Sequence, residues 1–321
     1  MYDLRVMNRN DLNVVNLLLF KAFKQARIDD GYKNTHVPMC RFEFLDMYLS
    51  ECPEGCFVIQ DGEDLAGAVF CHVWGKTGWI GPLAVSPDVF HLGIGKKLVH
   101  HSVSYLKNRG CTSIGLETNP RSSRNLGFYV KLDFIPSIIT LDVVRSVKPN
   151  SRGLEVAPQN TRFYSQCHSP AEQEEFCFTA RNLIHSVNPD VDYTPLIHST
   201  LRSRFGDSVI FYRQTLPIAY CTYIDRAFSS EEKQTIMRVI SFVAHPDTPD
   251  NYFRLFLRDI DQLARYRLCE QLLLRIPAYC SRIFPVIFDM GFRIIHSDLR
   301  MTLNSYTEKV DRRTIHLNRW V

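Results

Sequence analysis

Three features of this 321-residue chain carry residue types that can do chemistry. The first is Gly93-Ile94-Gly95 followed by Lys96 and Lys97. A glycine-spaced turn leaves backbone N–H groups free. Where it opens a helix, the positive end of the helix dipole adds to them, so the pair makes a seat for an anion. Lysines in a first helical turn oppose that dipole, a conflict that a bound anion relieves. The second feature is Tyr129, inside Phe128-Tyr129-Val130-Lys131-Leu132-Asp133-Phe134. A phenol with its ordinary pKa of about 10 stays protonated at neutral pH and can serve as a proton donor. The third is Glu117, a carboxylate closing a brief strand and the first candidate for a base. His72 and His36 stand behind it, and a water chain with no dedicated base is an equal alternative.

The surrounding pattern supplies elements to hold these groups. Trp79 to Val85 is a short run of strand formers that Pro87 cannot extend. Beyond the glycine turn, Leu98, Val99, Val103 and Leu106 repeat at helical spacing until Gly110 stops them. Ser113 to Glu117 is a strand, Asn119 to Arg124 a loop, and a helical run leads into Phe134. Two of these stretches together resemble the GCN5-related N-acetyltransferase (GNAT) family. One is the strand with Val85-Ser86-Pro87 leading to Gly93-x-Gly95; the other is the closing Phe128-Tyr129 helix with Asp133-Phe134. The resemblance reaches residue 145 or so.

The resemblance implies an α/β (α+β) chain of two tandem acyl-CoA N-acyltransferase (GNAT) folds, each a mixed, mostly antiparallel sheet flanked by helices. It implies acetyl-CoA as cosubstrate and direct attack of a primary amine on the thioester, in the N-terminal domain. The backbone of Leu83, Ala84 and Val85 would pair with the pantetheine arm. The N–H groups of His91, Leu92, Gly93, Ile94, Gly95 and Lys96 would cradle the pyrophosphate. Asn125, with Ser122 on the same face, would contact the pantetheine or the thiol, and Arg121 and Arg124 would reach the ribose phosphate. Tyr129 would protonate the departing thiolate, and Glu117 would accept the amine's proton. Two positions depart from the family pattern: Phe90 stands where Gln or Arg is usual, and Asp133 where glycine is usual. Asp tolerates turn conformations, so the turn is expected to survive.

Composition narrows the alternatives. The length suggests about two domains, and 45% hydrophobic with 22% charged residues is ordinary globular usage. A net charge of +4 without a clustered basic face does not argue for nucleic acid. The acidic Glu231-Glu232 and Asp259-Ile260-Asp261 segments oppose a tRNA stripe between domains. Ten cysteines follow no zinc-ligand spacing, so no metal is expected, and Cys52 and Cys56 read as buried residues flanking a turn. No apolar run approaches the roughly 20 residues of a membrane span, and Met1 to Asp11 lacks a signal core. A reduced, cytoplasmic protein acting on a small-molecule or peptide amine is the plain reading. A non-catalytic acyl-CoA-binding or regulatory module, or transfer of another acyl group, is the alternative.

Along the chain, Tyr2 to Met7 reads as a strand, with helices from Asn10 or Asp11 and from Arg41 to Leu49. A hairpin turns at Asp61-Gly62-Glu63-Asp64, and a closing hairpin is expected at Phe134-Ile135 and Ile138 to Val144. The catalytic domain is set at residues 1–147, a polar linker at 148–153, a degenerate copy at 154–304 and a tail at 305–321. Pro87 and Pro246 lie 159 apart, Phe134 and Phe292 lie 158 apart, and such agreement indicates duplication. In the copy, a strand is expected to begin near Leu154. Asp247-Thr248-Pro249-Asp250 replaces the glycine turn and Ile287 replaces Tyr129, so the copy should be silent toward acyl-CoA. Thr314 to Trp320 is expected to form an extra strand.

Overall fold

The computed structural model describes residues 2–62, 64–147, 157–248 and 251–319. The linker expected at 148–153, the strand start near Leu154 and the Pro249-Asp250 pair lie outside the described residues.

The first half runs β1 (Asp3–Val6), α1 (Leu12–Asp29), α2 (Phe42–Glu51), β2 (Phe57–Asp61), β3 (Asp64–Trp74), β4 (Thr77–Val85), α3 (Ile94–Asn108), β5 (Ser113–Thr118), α4 (Ser123–Val130) and β6 (Phe134–Ser146). The second half runs β7 (Thr161–Phe163), α5 (Pro170–Val187), α6 (Thr194–Arg202), β8 (Gly206–Arg213), β9 (Leu216–Ile224), β10 (Ile236–Ala244), α7 (Asn251–Tyr266), β11 (Gln271–Pro277), α8 (Phe284–Asp289), β12 (Arg293–Leu303) and β13 (Ile315–Asn318). Local chemistry sets the helix ends. Asn8 and Asp11 form a reciprocal capping box ahead of α1, as Ser169 and Glu172 do at the start of α5. Gly93, at φ 74°, opens α3, and Gly110, at φ 77°, follows its end.

Helices cover both faces of the sheet. In the first half α1 and α2 bury Leu12, Val15, Leu45 and Met47 on one face, while α3 lays Ile94, Leu98, Val99 and Leu106 on the other. The second half repeats this with α5 and α6 on one side and α7 on the other.

The closing hairpin is where structure and expectation part. Phe134 to Ser146 is one strand, β6, and not two. Pro136 lacks an N–H and sits at an irregularity in the pairing with β12, where the ladder can spare a donor. The strand that should fold back is supplied by the other half. The sheet order is β1-β2-β3-β4-β5-β12-β6-β11-β10-β9-β8-β7, so β12 lies inside the first half and β6 inside the second. Thirteen strands thereby form one continuous sheet, with β13 off this path beside β10.

The exchange is symmetric. Thr118 faces Leu299, and their counterparts 158 positions away, Ile276 and Leu141, face each other as well. Thr140 faces Asp298, its own counterpart, so an internal twofold axis passes through that pair. Around it lies a buried ion cluster. Arg275 donates to Glu117 and, at 2.7 and 2.9 Å, to both oxygens of Asp142. Arg300 donates at 2.9 Å to Glu117 and to Glu308. Glu117 and Arg275 are counterparts, and so are Asp142 and Arg300. Within these two counterpart pairs the acids sit in the first half and the arginines in the second, where Asp298 and Glu308 supply further acids to Arg275 and Arg300.

Candidate active site

β4 and β5 are paired in parallel only where Thr77, Gly78 and Trp79 face Ser113, Ile114 and Gly115. Beyond Trp79 they diverge, although β4 stays paired to β3 as far as Val85 opposite Gly67. Pro82 has no N–H to offer a neighbour on the open side. One edge of β4 from Ile80 to Val85 therefore has no strand partner among the described residues.

This edge leads into a groove of about 430 Å³ lined by Leu83, Val85, Phe90, His91, Gly93, Gly95, Lys96, Arg124, Asn125, Phe128 and Tyr129, with Ala22, Phe23 and Ala26 of α1 closing it. The N-terminus of α3 opens onto the groove, and no side chain caps it. Its first N–H groups and the positive dipole end are aimed where an anion can accept them. A Cβ on Gly95 would stand 3.3 Å from the Phe128 ring and 3.4 Å from Val85, so any side chain there would press on the Phe128 ring at the groove wall. Of the two lysines, Lys96 lines the groove, whereas Lys97 donates to the Tyr2 carbonyl at 3.0 Å.

The remaining candidates fall at different distances from this groove. Ala84 and Ile94 are buried beneath it, and Leu92 is exposed. Asn125 lines it, while Ser122 is buried as the cap of α4. Tyr129 lines it too, packed against Phe128 and Phe134, and burial pushes its phenol up to about 12. Asp133 takes the left-handed conformation at φ 68° that glycine would have taken, so the turn survives.

Glu117 is a correction. Its side chain is only 3% exposed, and both oxygens accept from Arg275 and Arg300 in the ion cluster. Both oxygens are thus occupied within the cluster, and Glu117 does not line the groove. His72 is also spent, sharing hydrogen bonds with Glu51 and the Gly81 carbonyl at 3.1 Å each. His36 lies on the exposed loop after α1, 2.6 Å from Glu231. Arg121 stacks on Tyr32 and donates to Gly31, joining that loop to the one before α4.

Arg124, expected to reach a phosphate, lines the groove, lies over the Phe90 ring at 5.1 Å and is paired with Asp29 of α1. One contribution to the groove escaped the sequence reading. Ala22 and Ala26 give α1 a small-residue face toward it. Their four-residue spacing amid bulky neighbours was the available signal.

The second half has the same split, but it is filled. β10 and β11 pair where Ile236 to Val239 face Gln271 to Leu274. β13 then lies antiparallel along Ser241 to Ala244. Those four residues are the counterparts of Pro82 to Val85, 159 positions on.

The Acetyltransferase (GNAT) family profile matches residues 21–134. Over 92 residues the chain is 35% identical to N-alpha-acetyltransferase 30 of Schizosaccharomyces pombe, a match spanning 27% of this chain and 61% of that protein. Among solved structures, a candidate acetyltransferase from Pyrococcus horikoshii aligns over 99% of this chain and 95% of its own, with a TM-score of 0.67 at 15% identity. A tandem GNAT protein from the clavulanic acid biosynthesis pathway aligns over 94% of this chain and 98% of its own, with a TM-score of 0.58 at 12% identity. Both structural likenesses are likenesses of fold.

Proposed function

From the match of residues 21–134 to the Acetyltransferase (GNAT) family, we propose that this chain is an acetyl-CoA-dependent N-acetyltransferase whose first half, residues 1–147, does the chemistry. Residues 154–304 form the second copy in this reading. The observation that carries it is the unpaired edge of β4 running into the uncapped N-terminus of α3. An extended chain of amides ending in a diphosphate has the shape and charge for both.

The backbone of Leu83 to Val85 would hold the pantetheine, and the N–H groups from His91 to Lys96, with Lys96 itself, the diphosphate. Arg124 on Phe90 supports a further phosphate contact. The amine's lone pair attacks the thioester carbonyl, the C–S bond breaks, and the nitrogen's extra proton leaves as the thiolate is protonated. Tyr129, which lines the groove, would donate a hydrogen bond to that sulfur. Among the described residues the lining contains no carboxylate. We therefore infer that the amine enters in its neutral form or loses its proton to water. The likeness to N-alpha-acetyltransferase 30 of fission yeast favours an α-amine as acceptor.

The test is mass spectrometry of amine and peptide panels incubated with the full chain and acetyl-CoA, alongside calorimetry of coenzyme binding. Acetylated product with one coenzyme per chain is expected, and Gly95→Val should weaken coenzyme binding at least tenfold. Binding without product on any amine would move the chain to a non-catalytic acyl-CoA module. No binding at all would end the proposal.

A further inference from the structure

The filled cleft of the second half is built with a detail that packing alone does not require. Residues Ile315 to Asn318 run antiparallel to β10, with Ala244 opposite Ile315 and Ser241 opposite Asn318. The ladder continues as Arg319 donates its N–H to the Ile240 carbonyl at 2.8 Å. Side chains alternate between two kinds of socket. Ile315 and Leu317 enter the apolar core beneath α7. His316 points the other way, 2.8 Å from the Tyr193 hydroxyl, while its carbonyl accepts from the Tyr279 hydroxyl at 3.1 Å. Asn318 accepts from Arg300 of the ion cluster at 2.9 Å, and Arg319 lies 3.7 Å from Asp142. Backbone ladder, two apolar sockets and polar sockets for the alternate side chains together form a recognition site for an extended peptide.

We propose that the split between β10 and β11 is a peptide-strand site, filled in cis by residues 315–318, and that it excludes acyl-coenzyme A. The exclusion has two sources. The strand occupies the edge whose counterpart in the first half is open. Moreover, no glycine lies between Pro246 and α7 to shape an anion seat. The comparison with the first half rests on the coenzyme position proposed above, and the peptide site itself does not. A tail tethered to its own site acts at an effective concentration of roughly millimolar, which a free peptide of the same sequence must overcome.

Hydrogen exchange on the full chain, with and without coenzyme A, separates the two readings. Amides of 315–318 and 241–244 are expected to exchange as slowly as core strands, and coenzyme A should add protection only around 83–96. Lack of protection at 83–96 would count against the proposed function alone. Gain of protection at 241–244 with loss at 315–318 would overturn the peptide site. A second arm uses Leu317→Asp, which places a charge in the core socket and should release the strand. The variant should bind a labelled peptide spanning residues 311–319 saturably and at least 100-fold more tightly than the parent chain does. Coenzyme A should not displace it. Failure of the folded variant to bind the peptide, or its displacement by coenzyme A, would refute the proposal; an unfolded variant leaves the exchange experiment to decide.

Discussion

Tyr129 shows how the surroundings refine a role that residue type only suggests. With burial pushing its phenol up to about 12, Tyr129 gives up its proton less readily than a free phenol does. The hydroxyl is therefore suited to stabilising the sulfur by a hydrogen bond while the proton arrives from the attacking nitrogen. Tyr129→Phe should lower kcat by about 10²-fold and leave coenzyme affinity unchanged, as stopped-assay kinetics and calorimetry would measure. Glu117 behaves oppositely. Its removal leaves Arg275 and Arg300 buried with one partner fewer, so Glu117→Ala should cost about 3–5 kcal/mol in urea unfolding. A fall in turnover at unaltered stability would return Glu117 to the chemistry.

Among the elements, β13 offers a pH dependence with a definite sign. Burial, helped by the positive charge of Arg300, pushes His316 down to about 3, whereas an unfolded histidine titrates near 6.5. Above pH 6.5 both states are neutral and the strand suffers no penalty. Between about 6.5 and 3 only the unfolded state binds the proton, so stability drops as pH falls, by roughly 1 kcal/mol per unit. Chemical denaturation at pH 7 and pH 5 should show this loss, and His316→Gln should flatten it. The contrast between β4 and β10 is equally physical. Both strands part from their parallel neighbours after a few pairs, and among the described residues only the second finds a further strand partner, β13.

At the scale of the whole molecule, the exchanged strands make two sequence repeats into one folding unit. β6 and β12 each lie between strands of the other half, and across the axis through Thr140 and Asp298 the acids Glu117 and Asp142 of the first half meet Arg275 and Arg300 of the second. Two identical copies related this way would bring like charges together at the seam. The divergence of Glu117 from Arg275 and of Asp142 from Arg300 makes one half complementary to the other at this seam. Asp142 illustrates the strength of this pairing. Burial alone would raise its carboxyl, but Arg319 and Arg275 outweigh that and hold it at about 2. A chain cut at a protease site engineered into residues 149–152 should still elute as one particle, its fragments separating only in denaturant. Fragments that part in native buffer would contradict the exchange.

Local signals made much of this protein legible in advance. The glycine turn, the strand before it and the helix after it depend on contacts within a few dozen residues, as does the left-handed turn at Asp133. Repeat spacing, read from Pro87 with Pro246 and Phe134 with Phe292, announced two copies of one fold because duplication preserves distance along the chain. What folding in three dimensions decided was every question of partner. Which strand closes each half, whether Glu117 faces a groove or two arginines, and what fills the second cleft all depend on groups about 70 or more residues apart. A strand's pattern of apolar residues states that it must be covered and paired; it carries no record of which neighbour will do so.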